Sequence, residues 1–269
     1  MSRIDPTARI ADGARLASGV EVGPYCVVGP QVELCAGVCL ISHVNVTGVT
    51  VIGERTVIAP FASLGTPPQS TKYRGGATRL VVGADCDIRE GVTMNTGTED
   101  DRGVTEVGNR CLMMVGSHVA HDCKVGHNVT FANNAVLGGH VTIGDYVVFG
   151  GQAAVRQFVR IGDGAMIVGL SGVRADIIPW GLASGPLAKL AGFNVIGMKR
   201  RGFARAEIHS LRQAYDELFF GAGQFRERLE RLAAGSSSRL VEQMIAFIRA
   251  GGTRPLTMAA RRRTAEEEI

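Results

Sequence analysis

A chain of 269 residues, 45% hydrophobic but only 6% aromatic, can bury a substantial core, yet its 36 glycines favour a turn-dense or repetitive build over one packed on large rings. Its net charge of +4 is uneven: residues 1–179 hold 14 Lys/Arg against 16 Asp/Glu, and residues 180–269 hold 15 against 9. No run of about 18 apolar residues and no leader-like start occurs, and the basic residues are neither striped nor interleaved with aromatics; this speaks against membrane insertion, secretion and nucleic-acid binding and leaves a soluble cytoplasmic protein as the expectation.

From Ile10 an aliphatic residue recurs every sixth position through Leu64. The phase returns at Val82, Ile88 and Met94, and again from Val107 to Val173. A period of six fits neither an α-helix nor a long alternating strand. It predicts short strands joined by tight turns, with one anchor pointing inward from each flat face; the pattern resembles the hexapeptide-repeat, left-handed parallel β-helix family, which implies three hexads, or 18 residues, to a coil. Glycine often follows the anchor, as at Gly23, Gly53, Gly126 and Gly144, where the backbone is expected to bend.

Two segments break the phase, residues 65–79 (GTPPQSTKYRGGATR) and 95–106 (NTGTEDDRGVTE), and are expected to be loops ejected from the wall. Cys26, Cys86, Cys111 and Cys123 stand four places after an anchor, a slot for small buried side chains. No CxxC pair is present, so the expected state is reduced thiols without a zinc ribbon. The division expected is a β-helical region over 1–179 and a helical one over 180–269. In the latter, Ile208, Leu211, Tyr215 and Leu218, and then Leu240, Met244 and Ile248, recur at helical spacing. The terminal RRRTAEEEI is expected to be frayed or a polar helix end.

The chemistry-bearing stretch is SHVAHDCK, residues 117–124. One coil of 18 residues sets Gly139 over His121, Gln157 over Gly139 and His140 over Asp122, which gathers His118, His121, Asp122, Gly139 and His140 into one patch. Relative to the anchor Val119, His121 and Asp122 fall near a corner and are expected to face solvent or a partner. A histidine beside a carboxylate suits general-base chemistry, and a glycine one coil away suits an oxyanion donor. The same residues could hold a metal, although the HxxH pair lies on a strand, whose geometry does not direct both rings to one point.

The hexads, the two loops and the ordered motifs SHVAHDCKVG, ANNAVLGGHV, AVRQF and GMKRRGF resemble the UDP-N-acetylglucosamine O-acyltransferase family, over nearly the whole chain. The resemblance implies a left-handed parallel β-helix with a C-terminal α-helical domain, assembled as a homotrimer with its active sites between subunits. It implies transfer of a 3-hydroxyacyl chain from acyl carrier protein to the sugar 3-hydroxyl of UDP-GlcNAc, the first step of lipid A synthesis, with no cofactor and no metal. His121 would be the general base, Asp122 its orienter and Gly139 the oxyanion donor. Lys72, His118 and His140 would line the substrate groove, and Gly169 would set acyl length. Gln157, Asn194, Arg200 and Arg201 would hold the nucleotide, the basic tail serving to dock the acidic carrier protein. Ser70, Asn95, Arg156, Pro186, Leu187 and Ile196 depart from the family pattern on the sugar-facing side. That leaves an acceptor such as a 3-amino UDP-sugar, or another acyl donor, as the alternative; a zinc-binding or non-catalytic hexapeptide protein is the reading from another class.

Overall fold

The computed structural model describes residues 2–235 and 238–260. The hexads form a three-sided left-handed parallel β-helix. Its first face holds strands such as Glu21–Val22 and Thr130–Phe131, its second holds His118–Val119 and Val136–Leu137, and its third holds Lys124–Val125 and Thr142–Ile143. Register steps by 18 residues per coil, so that His118 pairs with Val136 and Val136 with Ala154. Each anchor enters a single column of side chains; Phe131 and Phe149 stack there with ring centroids 4.6 Å apart. All four cysteines at the small slot are buried, as expected.

The turns correct one expectation. The residue that takes the left-handed conformation stands three places after the anchor and is often not glycine: Tyr25, Asp122, His140 and Phe158 have φ of 57°, 59°, 62° and 66°. The glycine directly after the anchor does not supply the bend. It is there because the next coil passes too close for a side chain: a Cβ on Gly23 would lie 1.8 Å from the Ile41 carbonyl oxygen, and one on Gly53 2.4 Å from the Gly83 carbonyl carbon.

Both phase breaks are excursions from one edge, where the second face passes into the third. The first leaves after the strand Ser63–Thr66 and rejoins at Arg79–Val82; the second leaves after Thr93–Asn95 and rejoins at Val104–Val107. The coil absorbs them by longer steps, Val57 pairing with Asp87 and Asp87 with Leu112.

Beyond Val173 the chain does not turn helical at once. An antiparallel hairpin, Gly181–Ser184 with Lys189–Phe193, first extends the first face. Among the described residues four helices follow: α1 (Val195–Arg200), α2 (Arg205–Phe220), α3 (Phe225–Gly235) and α4 (Arg239–Arg249). Ile208, Leu211, Tyr215 and Leu218 are buried on α2 and Leu240 and Met244 on α4, as their spacing predicts, while Ile248 is half-buried. Helix α4 docks on the last coils: the Gln243 amide donates to Asp163 at 2.7 Å, and the Arg160 guanidinium lies 4.4 Å above the Phe247 ring. The segment RRRTAEEEI lies outside the described residues. Among the described residues no helix is long and apolar enough to cross a membrane.

Candidate active site

The edge that ejects both loops also carries His121, Asp122, Gly139, His140 and Phe158. The loops brace each other over it. Thr78 donates through its hydroxyl to that of Thr96 at 3.0 Å, the Arg74 N–H donates to Glu99 at 2.6 Å, and the Asn95 amide donates to Thr66 Oγ1 and the Pro67 carbonyl, both at 3.0 Å.

Thr98 of the second loop reaches the centre of the cluster. Its N–H lies 3.0 Å from both Asp122 carboxylate oxygens and its hydroxyl donates to Oδ2 at 2.6 Å, while His121 Nδ1 lies 2.9 Å from the same oxygen. His121 is 8% exposed and Asp122 2%, so the expectation that the pair faces solvent or a partner is overturned, most fully for Asp122. The 18-residue arithmetic places Asp122 at a corner correctly, but the second loop folds back over that corner and satisfies its lone pairs. Burial pushes the Asp122 carboxyl up; the hydrogen bonds from His121 and Thr98, with the His140 ring nearby, outweigh it and hold the group below the ordinary aspartate value. A carboxyl with a depressed folded value stabilises the fold fully above its unfolded value of about 3.9 and loses that contribution as pH falls through the folded value. Thermal melts from pH 6 down to pH 2 should therefore fall less steeply for Asp122→Asn than for the parent; parallel curves would remove Asp122 as a source of the acid sensitivity.

An ionised carboxylate only accepts, so the Nδ1 of His121 carries its proton and in the neutral ring Nε2 is bare. That ring packs flat against Gly139: a Cβ there would lie 2.5 Å from His121 Cε1 and 2.6 Å from Nε2. Any other residue would displace the imidazole. The next coil adds His140, whose N–H donates to the His121 carbonyl at 3.0 Å and whose ring meets that of His121 edge-on, centroids 4.9 Å apart.

The other candidates are spread over the prism. His118 is on the second face beside this edge, its Nδ1 2.8 Å from Thr93 Oγ1; burial holds its ring below the ordinary histidine value, the Thr93 contact opposing and His121 adding to the shift. Gln157 is exposed one coil up, its backbone N against Gly138. Lys72 is exposed on the first loop, close to Ser70, whose Oγ accepts the Lys72 N–H at 3.3 Å. Gly169 stands at the opposite border of the second face, where that face meets the first. Asn194 caps α1, its Oδ1 accepting the Gly197 N–H and its Nδ2 donating to the Gly164 carbonyl, each at 2.9 Å. Arg200 is exposed, and the Arg201 guanidinium lies 3.2 Å from the centroid of the Tyr146 ring. Gly164 and Tyr146 are turn residues of the third edge, between the third and first faces. Within one chain, then, Asn194 and Arg201 sit at a different edge from His121.

Cys123 is fully buried, donates to the Gly138 carbonyl at 3.1 Å, and has its thiol pushed up to about 12 by burial, so it presents no thiolate. His121, Asp122 and His140 offer ligand atoms within 4.8 Å of one another, close enough to share a cation; Nδ1 of each histidine is already committed to a carboxylate. Sequence reasoning missed Thr98, Asp101 and Phe158. The last could have been found by adding 18 to His140, whereas the loop residues obey no repeat.

Residues 176–257 match the family model described as UDP N-acetylglucosamine O-acyltransferase, domain 2, and residues 105–139 match bacterial transferase hexapeptide (six repeats). The chain is 59% identical over 266 residues to an acyl-[acyl-carrier-protein]--UDP-N-acetylglucosamine O-acyltransferase of Azorhizobium caulinodans, covering 98% of each chain. It is 49% identical over 254 residues to the enzyme of the same name from Bartonella bacilliformis, covering 94% of this chain and 93% of that one. Among solved structures, the UDP-N-acetylglucosamine acyltransferase of Campylobacter jejuni superposes with a TM-score of 0.90 at 34% identity, over 96% of this chain and 100% of that one. The UDP-N-acetylglucosamine O-acyltransferase of Moraxella catarrhalis gives 0.91 at 40%, over 94% and 99%.

Proposed function

The chain belongs to the UDP-N-acetylglucosamine O-acyltransferase family, and from that premise we propose that it moves an acyl group from acyl carrier protein to the sugar 3-hydroxyl of UDP-GlcNAc, with His121 as general base. The observation that carries the mechanism is the buried Asp122–His121 pair with Gly139 against the imidazole. Nε2 of His121 takes the hydroxyl proton as the sugar oxygen adds to the thioester carbonyl carbon. Asp122 holds the ring and stabilises the imidazolium, and the Gly139 N–H donates a hydrogen bond to the developing oxyanion. The C–S bond then breaks, and the departing thiolate recovers the proton from His121.

Gln157, Asn194, Arg200 and Arg201 are read as the nucleotide grip, two guanidiniums suiting a diphosphate. Since Asn194 and Arg201 stand at another edge from His121, a complete site takes them from a second copy, which supports a homotrimer with sites between subunits. His118, His140 and Lys72 would line the groove between copies, with Gly169 at the far border of the second face where an acyl chain would end. Residues 1–179 serve as scaffold and catalytic wall. Residues 180–269, basic by 15 charges to 9, carry the other nucleotide contacts, Asn194, Arg200 and Arg201, and a surface for the acidic carrier protein. The setting is the cytoplasm, at the opening of lipid A synthesis.

A second reading, transfer to a 3-amino UDP-sugar, rests on the departures from the family pattern at Ser70, Asn95, Arg156, Pro186, Leu187 and Ile196. At one of them, Asn95, the amide directs its N–H groups at Thr66 and Pro67, and its buried Oδ1 has no partner among the described residues. Purified protein given 3-hydroxyacyl carrier proteins of several lengths, crossed with UDP-GlcNAc and its 3-amino analogue, separates the two. Product from UDP-GlcNAc is expected; turnover of the amino sugar alone would move the function to the second reading, and no acyl transfer to either would end both.

A further inference from the structure

The second loop ties down more than one histidine. Besides Thr98 on Asp122, it presents Asp101, whose carboxylate accepts the Nδ1–H of His140. The loop is set for this by a turn in which the Gly103 N–H donates to the Thr98 carbonyl at 3.1 Å, and by the ion pair of Arg102 with Glu106 at 2.6 Å. The His140 ring is otherwise held by its faces. It stacks on Phe158, 4.3 Å between centroids and 3° between planes, and its backbone is fixed in the left-handed turn. Stacking leaves one freedom undecided, the half-turn of the ring that chooses which edge points where.

A competitor for that edge is close. Oδ2 of Asp122, the oxygen that receives His121, lies 3.9 Å from His140 Nδ1. We propose that Asp101 is a positioning residue for the acyl transfer described above: it gives His140 a carboxylate of its own, which keeps Asp122 for His121 and leaves His140 Nε2 bare toward the groove as an acceptor for an O–H or N–H of the sugar nucleotide. The inference rests on that reading of the site. Two histidines then share one edge without sharing one carboxylate, and the loop that looked like an insertion sets the tautomer of both. The Asp101 side chain is 42% exposed, so its part is geometric; the Coulombic attraction alone is screened.

The test is a double-mutant cycle with a spectroscopic arm. Asp101→Ala is expected to lower kcat/KM about tenfold, the size of one hydrogen bond of ordinary strength, and to lower it less than about twofold when made in a His140→Ala background. Asp101→Glu should recover part of the loss. Imidazole nitrogen NMR of histidine-labelled protein should show the Nδ1–H form for His140 in the parent and a loss of that single form in Asp101→Ala. An additive double mutant, or an unchanged His140 tautomer in Asp101→Ala, overturns the proposal. The NMR arm needs no turnover, so failure of the acyl-transfer reading and failure of the Asp101 pairing give different results.

Discussion

His121→Ala is expected to reduce kcat on an acyl carrier protein thioester by ~10² to 10⁴, the range of a positioned general base, and by more where the imidazole also orients the acceptor. The fold should hardly register the change. His121 is not part of the central column of anchors; its ring rests against Gly139 and is bonded to Asp122, and Asp122 keeps its three contacts from Thr98. Thermal unfolding should therefore move by a few degrees at most while single-turnover transfer collapses. UDP-sugar affinity, assigned chiefly to Arg200 and to Asn194 and Arg201 at another edge, should stay within a few fold of the parent. Transfer that survives His121→Ala at about a tenth of the parent rate or better would exclude His121 as the base.

The second large effect is expected from a single methyl group. Gly139→Ala places a Cβ 2.5 Å from His121 Cε1 and 2.6 Å from Nε2, a separation that real side chains do not tolerate. The backbone at Gly139 is not in the left-handed region, so alanine is conformationally acceptable and the strain must fall on the ring. Since Asp122 anchors Nδ1, the imidazole can escape only by tilting about that bond, which moves Nε2, the atom assigned to the proton transfer. A displacement on the order of 1 Å at a reacting atom costs about 10²-fold, and that loss is expected in kcat with KM little changed. A crystal structure of Gly139→Ala with His121 unmoved, or a parent-like kcat, would contradict the assignment of Nε2.

How much of this was readable beforehand follows from the physics of the repeat. A strictly periodic wall maps sequence separation onto vertical distance, so adding 18 to His121 or Asp122 names the residue on the next coil. Gly139 and His140 were found that way, and the contacts of His121 with both agree. The same mapping put Cys123 in the core. It failed where the chain leaves the wall: residues 95–106 have no periodic partner, and nothing in NTGTEDDRG announces that Thr98 will bond both oxygens of Asp122 while Asp101 takes His140. It failed also for the glycines after the anchors. There the sequence suggests a bend, and the structure shows close approach of the neighbouring coil with the left-handed residue two places further on.

The six-residue period by itself gave an array of short strands and tight turns, the place of both excursions and the amphipathic helices that follow, because twenty-five anchors at that spacing fit no helix or long strand; the three-sided coil, and with it the candidates for base, orienter and oxyanion donor, needed the family resemblance as well. Only the tertiary structure decided that Asp122 is sealed by a loop, that two carboxylates serve two histidines, and that Asn194 and Arg201 stand at a different edge from the base. These depend on how aperiodic segments fold back over a regular wall, and that is settled by long-range hydrogen bonds and packing, which no local pattern encodes.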